Sequence, residues 1–325
     1  MKKIIIIILS ILLILVLVLK LTKSETKTNK ITVAEVTHSI FYTPFYVAIE
    51  KGYFKDEGLN INLILTSGAD KVSASVLSGD AQIGLAGAES VIYVYNGKEK
   101  DYLQIFSGLT KRDGQFILGK KKDDSFNLSN IKGKEILVGR KGGMPAINFL
   151  NALNNSGIDI NDVNINYQID FASLSGAFIG GTGDYVNLFE PNASLMEKNN
   201  QGFILESIGK LSGEMPYTTF YSRKSFAKEN KDLLIKFNNA LNKGLKFTEE
   251  NDPKTIAEVI HKQFPDNTIN ELKTMISNYK DADSWLSDTY VSKKLFENLE
   301  DLLIKNKLIN SYVPYKKLVI NLNDK

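Results

Sequence analysis

The chain runs Ile31-Thr-Val-Ala-Glu-Val36, Thr43-Pro-Phe-Tyr-Val-Ala-Ile-Glu-Lys51, Asn60-Ile-Asn-Leu-Ile-Leu65 and, after Ser78-Gly79, Ala81-Gln-Ile-Gly-Leu85. The first, third and fourth runs are β-rich. Thr43 and Pro44 suit the cap and first turn of a helix over Pro44 to Lys51, and Gly52 stops it. A second helix starts near Asp70 and stops at Ser78-Gly79. Strand, helix, strand, helix, strand predicts parallel strands joined by right-handed crossovers, hence a doubly wound α/β lobe with ligand at the carboxyl ends of its strands.

A second series of the same kind follows. Phe116 to Gly119 and the charged run Lys120-Lys-Lys-Asp-Asp124 read as a crossover strand and a surface turn. Then come a strand at Glu135 to Val138, a helix over Pro145 to Asn155, a strand at Val163 to Tyr167, a helix over Ser173 to Ile179 and a strand at Tyr185 to Phe189. Pro216 to Arg223 reads as a strand returning to the first lobe, and two crossings make a hinge. Helices at about 231–248, 252–263, 270–279 and 292–305 follow and are expected to buttress the first lobe. The expected division is 1–30 as anchor and linker, 31–118 with 217–325 as the first lobe, and 119–216 as the second.

Of 325 residues, 43% are hydrophobic and 24% charged, a composition that folds, and the length suits two lobes. Six of the lysines stand in residues 1–30 against Glu25 alone, so a net charge of +3 leaves the remainder at −2. A mildly acidic body without a basic stripe gives no reason to expect nucleic acid as a partner. With no cysteine, disulfides, thiolate catalysis and Cys-ligated metal are excluded. Met1-Lys2-Lys3 precedes Ile4 to Leu19, where only Ser10 is polar, and Lys20 and Lys23 follow. This is an export signal or anchor, and without an Ala-x-Ala cleavage site an uncleaved membrane tether is the expected form.

Enzyme motifs are incomplete. Gly139-Arg-Lys-Gly-Gly143 is followed by Met144-Pro145 instead of the Lys-Ser/Thr of a phosphate loop, and Gly180-Gly-Thr-Gly183 lacks dinucleotide spacing. Asp281-Ala-Asp283-Ser-Trp285 has neither the glycine nor the terminal glutamate of a calcium loop and reads as a solvated helix-joining turn. No catalytic residue, metal or cofactor is expected. The Gly-rich turns at Gly68-Ala69, Gly87-Ala88-Glu89 and Gly139 to Met144 each lie where a strand ends and a helix begins, where backbone N–H groups hold polar or anionic ligands. Singly, each is more often only a tight turn; their recurrence in both lobes is the signal. Phe41 and Tyr42 precede a helix and can form an aromatic shelf.

The run Phe41-Tyr-Thr-Pro-Phe-Tyr-Val-Ala-Ile-Glu-Lys-Gly-Tyr-Phe-Lys-Asp-Glu-Gly-Leu59, followed by Val76-Leu-Ser-Gly-Asp-Ala-Gln-Ile-Gly84, resembles the solute-binding proteins for thiamine pyrimidine precursors, aliphatic sulfonates and nitrate. Lys141-Gly-Gly143, Gly180-Gly-Thr-Gly-Asp184, Leu188-Phe-Glu-Pro191 and Pro216-Tyr-Thr-Thr-Phe-Tyr221 continue the likeness over about residues 31–265. The resemblance implies a two-lobed type II periplasmic-binding fold, an ABC importer's permease subunits as partner, and an extracytoplasmic monomer. It also implies ligand contacts from Ser39, Phe41, Tyr42, Gly68, Ala69, Ala88, Glu89, Gly142, Gly143, Thr182 and Glu190. Arg140 is a candidate for an anion, while Glu190 favours a nitrogen heterocycle over a sulfonate or nitrate. The rival class is a heterocycle-processing enzyme using His38 as acid or base. Two departures stand out: the lipoprotein cysteine of many Gram-positive members and the cysteine motif of the fungal pyrimidine-making relatives are both missing.

Overall fold

The structure is a computed structural model that describes residues 29–66 and 68–322. The anchor expected over the first thirty residues lies almost wholly outside the described residues, as does Ser67. No helix among the described residues is long and apolar enough to cross a membrane.

Among the described residues, ten strands form two five-stranded sheets. The first contains β1 (Asn29–Glu35), β2 (Leu59–Leu65), β3 (Ile83–Gly87), β4 (Leu103–Thr110) and, from the far end of the chain, β10 (Thr218–Arg223), in the order β2-β1-β3-β10-β4. The second contains β5 (Phe116–Gly119), β6 (Glu135–Leu137), β7 (Asn164–Asn166), β8 (Tyr185–Leu188) and β9 (Phe203–Ser207), in the order β7-β6-β8-β5-β9. Each sheet is parallel through its first three strands, and the strand that follows a crossing then enters antiparallel. The central β3 is covered on both faces and reads as an unbroken apolar run, whereas the edge strand β2 is only partly covered.

The division between lobes differs from the expected one at one point. Phe116–Gly119 pairs with β8 and β9, so the whole strand belongs to the second sheet and the outward crossing is the segment 111–115. The reason is local: Phe116 and Leu118 enter one apolar cluster while Ile117 enters the other, as a central strand covered on both faces requires. The return crossing lies between the helix Ile208–Ser212 and β10, and the two crossings are tied by Met215 N–H to Lys111 O at 2.9 Å and Tyr217 N–H to Thr110 O at 3.1 Å. The Asp281 to Trp285 turn braces this hinge. Asp283 lies 2.8 Å from Lys111 Nζ and 3.5 Å from Arg112 Nη2, and Glu214 lies 2.9 Å from the same Arg112 nitrogen.

The helices Lys231–Glu250, Pro253–Ile260, Ile269–Asp281 and Lys293–Lys305 form the buttress. The first of them packs on Thr43–Glu50, and Gly244 makes this possible: a Cβ there would stand 2.2 Å from Pro44 O. Phe237 on that helix joins Phe54 and Phe220, with ring centroids 4.8 Å and 5.0 Å away, in the centre of the first-lobe core. The third helix, Ile269–Asp281, also reaches the second lobe, where it packs on Asn192–Lys198.

Candidate functional site

The carboxyl ends of β1, β3, β6 and β8 converge between the sheets, and each runs into a turn singled out in the sequence. After β3, Glu89 opens the helix Glu89–Asn96; after β6, Met144 opens the helix Met144–Asn155. Glu89 is 3% exposed and its carboxylate folds back over Gly87, where a Cβ would come within 2.0 Å of Oε2. Burial pushes its pKa up to about 7, against the pull of the Arg140 charge and the amides of Met144 and Ser90. The N-terminus of the second-lobe helix is thus faced by a carboxylate from the first lobe, although Oε2 completes no well-formed hydrogen bond.

Other contacts cross between the lobes around this point. The Tyr93 hydroxyl donates to Gly142 O at 3.2 Å, and Ser39 Oγ donates to Glu190 O at 3.1 Å while also capping Phe41 N–H. Gly142 has a φ of +82°, which turns the chain into the helix through its cap, Gly143. Gly68, at φ +110°, caps the helix that Ala69 begins, and Ala88 N–H bonds Tyr217 O at 3.3 Å. Arg140, expected as an anion partner, is exposed and reaches Asp70 Oδ1 at 3.3 Å; both side chains are more than 60% exposed, and such a pair contributes little, about 0–1 kcal/mol.

Phe41 is not an open shelf. It is 1% exposed, with Tyr279, Phe189 and Tyr217 at centroid distances of 5.2, 5.5 and 5.6 Å, and its carbonyl accepts Trp285 Nε1–H at 2.8 Å. Tyr42 is equally buried, its hydroxyl facing the Thr218 side chain. The rings that do reach the surface beside them are Phe189, half-buried, and Phe171, packed on it at 5.6 Å.

Three further expected residues stand apart from this junction. Glu190 is 1% exposed and its carboxylate takes three hydrogen bonds: Oε2 accepts Ser194 N–H at 2.9 Å, and Oε1 accepts Ser194 Oγ–H and Asn278 Nδ2–H, each at 2.7 Å. It is a tie between lobes, Asn278 belonging to the first and Ser194 to the second. His38 is held inside the first lobe, Nδ1 at 2.7 Å from Glu35 Oε1 and Nε2 at 2.9 Å from Gln263 O. Burial opposes charge on the ring, but the Glu35 bond and charge and the Gln263 carbonyl outweigh it and raise the pKa. Both nitrogens face acceptors, the arrangement of an imidazolium pin. Thr182 is exposed and lies before the amino end of β8, whereas Glu190 follows its carboxyl end.

Sequence reasoning missed four buried residues at the crossings: Asp113, Gln115 and Asn187 where the outward crossing meets the second sheet, and Tyr217 just before β10 of the first. Asp113 sits in a run of ordinary hinge residues, Arg112-Asp-Gly-Gln115, without a motif; Asn187 falls inside the strand expected at Tyr185 to Phe189, and Tyr217 in the stretch Pro216 to Tyr221. A surface groove of about 610 Å³ is lined by Asn29, Lys30, Phe226, Lys231 and their neighbours. It lies at the amino end of β1, away from the convergent strand ends, so we place the candidate site at the latter.

Two α/β lobes, two hinge crossings and facing strand ends define the two-lobed periplasmic-binding fold. The alkanesulfonate-binding protein SsuA from Xanthomonas axonopodis pv. citri, in a structure bound to MOPS, shares it with a TM-score of 0.72 and 16% identity over 90% of this chain and 98% of that one. Residues 40–255 match the NMT1/THI5-like family, and the chain belongs to that family. YtlA of Bacillus subtilis (strain 168), whose name describes it as a binding protein, is 41% identical over 298 residues, 91% of this chain and 89% of its own length. The 4-amino-5-hydroxymethyl-2-methylpyrimidine phosphate synthase of Schizosaccharomyces pombe is 24% identical over 159 residues, 48% of this chain and 45% of that protein.

Proposed function

We propose that this protein is an extracytoplasmic solute-binding protein that closes its lobes over a small nitrogen-containing polar solute and delivers it to the permease subunits of an ABC importer. The apolar run Ile4 to Leu19 would tether it to the membrane. Family membership and the YtlA likeness support binding as the activity. The observation that carries the ligand class is Glu89. A helix N-terminus in a two-lobed cleft ordinarily suits an anion, but here the protein's own buried carboxyl already faces Met144, so a sulfonate or nitrate would have to displace it and, above its raised pKa of about 7, would meet like charge. A neutral or cationic nitrogen compound would instead supply the hydrogen-bond donor that Glu89 Oε2 lacks. Glu190 is the weaker candidate for that role, because Ser194 and Asn278 already donate three hydrogen bonds to its carboxylate.

The enzymatic alternative is supported only by the partial likeness to the pyrimidine synthase, and both nitrogens of His38 are taken. Calorimetry on the full-length protein in mild detergent, with 4-amino-5-hydroxymethyl-2-methylpyrimidine, taurine and nitrate, tests the reading. The pyrimidine is expected to bind and to be recovered unchanged. Tight binding of taurine or nitrate that Glu89→Gln leaves unaltered overturns the ligand class, and conversion of the pyrimidine overturns the binding role.

A further inference from the structure

We propose that the outward hinge segment is itself a ligand subsite: Asp113 and Gln115, with Tyr217 and Asn187, receive an N–H-bearing edge of the solute, so that occupancy and hinge position are coupled. This rests on the cleft-binding reading above and adds to it the part of the cleft that the sequence motifs do not mark.

The four side chains are buried, three of them completely and Tyr217 at 5% exposure. Yet Asp113 Oδ2, Gln115 Oε1, both polar atoms of the Asn187 amide and the Tyr217 hydroxyl lack a well-formed hydrogen bond. A buried polar atom without a partner costs about 1–3 kcal/mol, and native interiors keep few of them. Here they are concentrated and joined: Gln115 N–H binds Asp113 Oδ1 at 2.6 Å, Gln115 Nε2–H reaches Asn187 O at 3.4 Å, and the Asp113 carboxyl interacts with the Tyr217 hydroxyl. A finished core would not place them so; a site that awaits hydrogen-bonding groups would.

An aromatic wall adjoins them. Gly114, between Asp113 and Gln115, lies against Phe41 so closely that a Cβ would stand 2.6 Å from the ring, and Tyr217 meets the same ring edge-on. Gly114 and Tyr279 cover this ring, so the edge of a solute reaches the polar atoms when the hinge opens. Gln115 Oε1 and Asn187 Oδ1 accept, the Asn187 and Gln115 NH2 groups and the Tyr217 hydroxyl donate, and the Asp113 carboxyl, whose pKa burial raises well above the usual carboxylate range, can do either. Sulfonate and nitrate are acceptor-only and leave those oxygens unmatched, whereas an amino or amidine group beside a ring nitrogen matches both kinds. Because Asp113 and Gln115 sit between β4 and β5, their engagement fixes the crossing that must bend when the lobes move.

Near-isosteric variants test this. Asp113→Asn and Tyr217→Phe are expected to weaken binding of 4-amino-5-hydroxymethyl-2-methylpyrimidine to the full-length protein at least tenfold by calorimetry. The melting temperature without ligand should change little, because Asp113→Asn keeps the acceptor for Gln115 N–H and Tyr217→Phe keeps the ring against Phe41. A purely structural role would lower that temperature and leave affinity alone. Binding to both variants within twofold of wild type overturns the subsite while the cleft reading stands. Failure of the pyrimidine to bind wild-type protein overturns the ligand reading and the chemistry assigned to the subsite together.

Discussion

Asn278, on a helix of the first-lobe buttress, donates its side-chain amide to Glu190 Oε1 in the second lobe at 2.7 Å, across 88 positions of sequence. The same oxygen takes Ser194 Oγ–H, and Glu190 N–H bonds the Tyr279 hydroxyl at 2.9 Å. A carboxylate beside a cis Glu-Pro bond at the end of a strand is therefore a fastening between lobes.

Replacing Glu190 by alanine should consequently act on stability first. Three donors lose their acceptor in a buried setting, and hydrogen bonds to charged groups contribute about 1.5–3 kcal/mol each before relaxation. We expect a loss of about 2–4 kcal/mol in urea unfolding, together with looser lobe closure in small-angle scattering. A loss below about 0.5 kcal/mol would show that the tie is solvated and weak.

Glu89 gives the protein a pH dependence of defined sign. Its pKa rises from 4.5 to about 7 on folding, chiefly through burial. Between those values the folded protein binds the proton more tightly than the unfolded chain, so stability is greatest below pH 4.5 as far as this group is concerned and falls as pH rises to 7. The fall attributable to it is on the order of 3 kcal/mol, since a pKa difference of one is worth about 1.4 kcal/mol. Glu89→Gln should flatten the profile: thermal unfolding at pH 5 and pH 8 is expected to differ less for the variant than for wild type. Parallel profiles would contradict the burial of an ionisable group there.

Gly244→Ala tests how the buttress meets the first lobe. The added methyl would meet backbone, Pro44 O at 2.2 Å, as well as the Ala48 side chain at 2.9 Å, and a backbone carbonyl inside a helix cannot swing aside. Helix propensity alone would favour alanine by about 1 kcal/mol. Overpacking costs about 1–3 kcal/mol and should win, lowering the melting temperature. A more stable variant would mean that the helices Lys231–Glu250 and Thr43–Glu50 separate easily.

The architecture was legible in the sequence because it rests on local signals. Ile31 to Val36, the Thr43-Pro44 helix start and Gly52 state a strand, a helix and its end within twenty-odd residues, and repetition of that unit in a second series fixes two α/β lobes. Fifteen consecutive apolar or turn choices in Met144 to Ile158 likewise mark a helix and its end without reference to anything distant. The strands β4 and β9 were not singled out: Leu-Gln-Ile-Phe-Ser-Gly-Leu-Thr110 mixes polar and apolar positions, and β9 is only half-covered except at Ser207. What each cleft residue does was decided by tertiary structure. Phe41 looked like a shelf until Tyr279 and Gly114 closed over it, and Glu190 looked free until Asn278 reached it. Glu89 acquired a raised pKa only because the fold buries it, against the pull of Arg140 and the Met144 amide. Secondary structure follows from neighbours in sequence, whereas burial, hydrogen-bond saturation and proton affinity follow from which distant atoms replace water around a side chain.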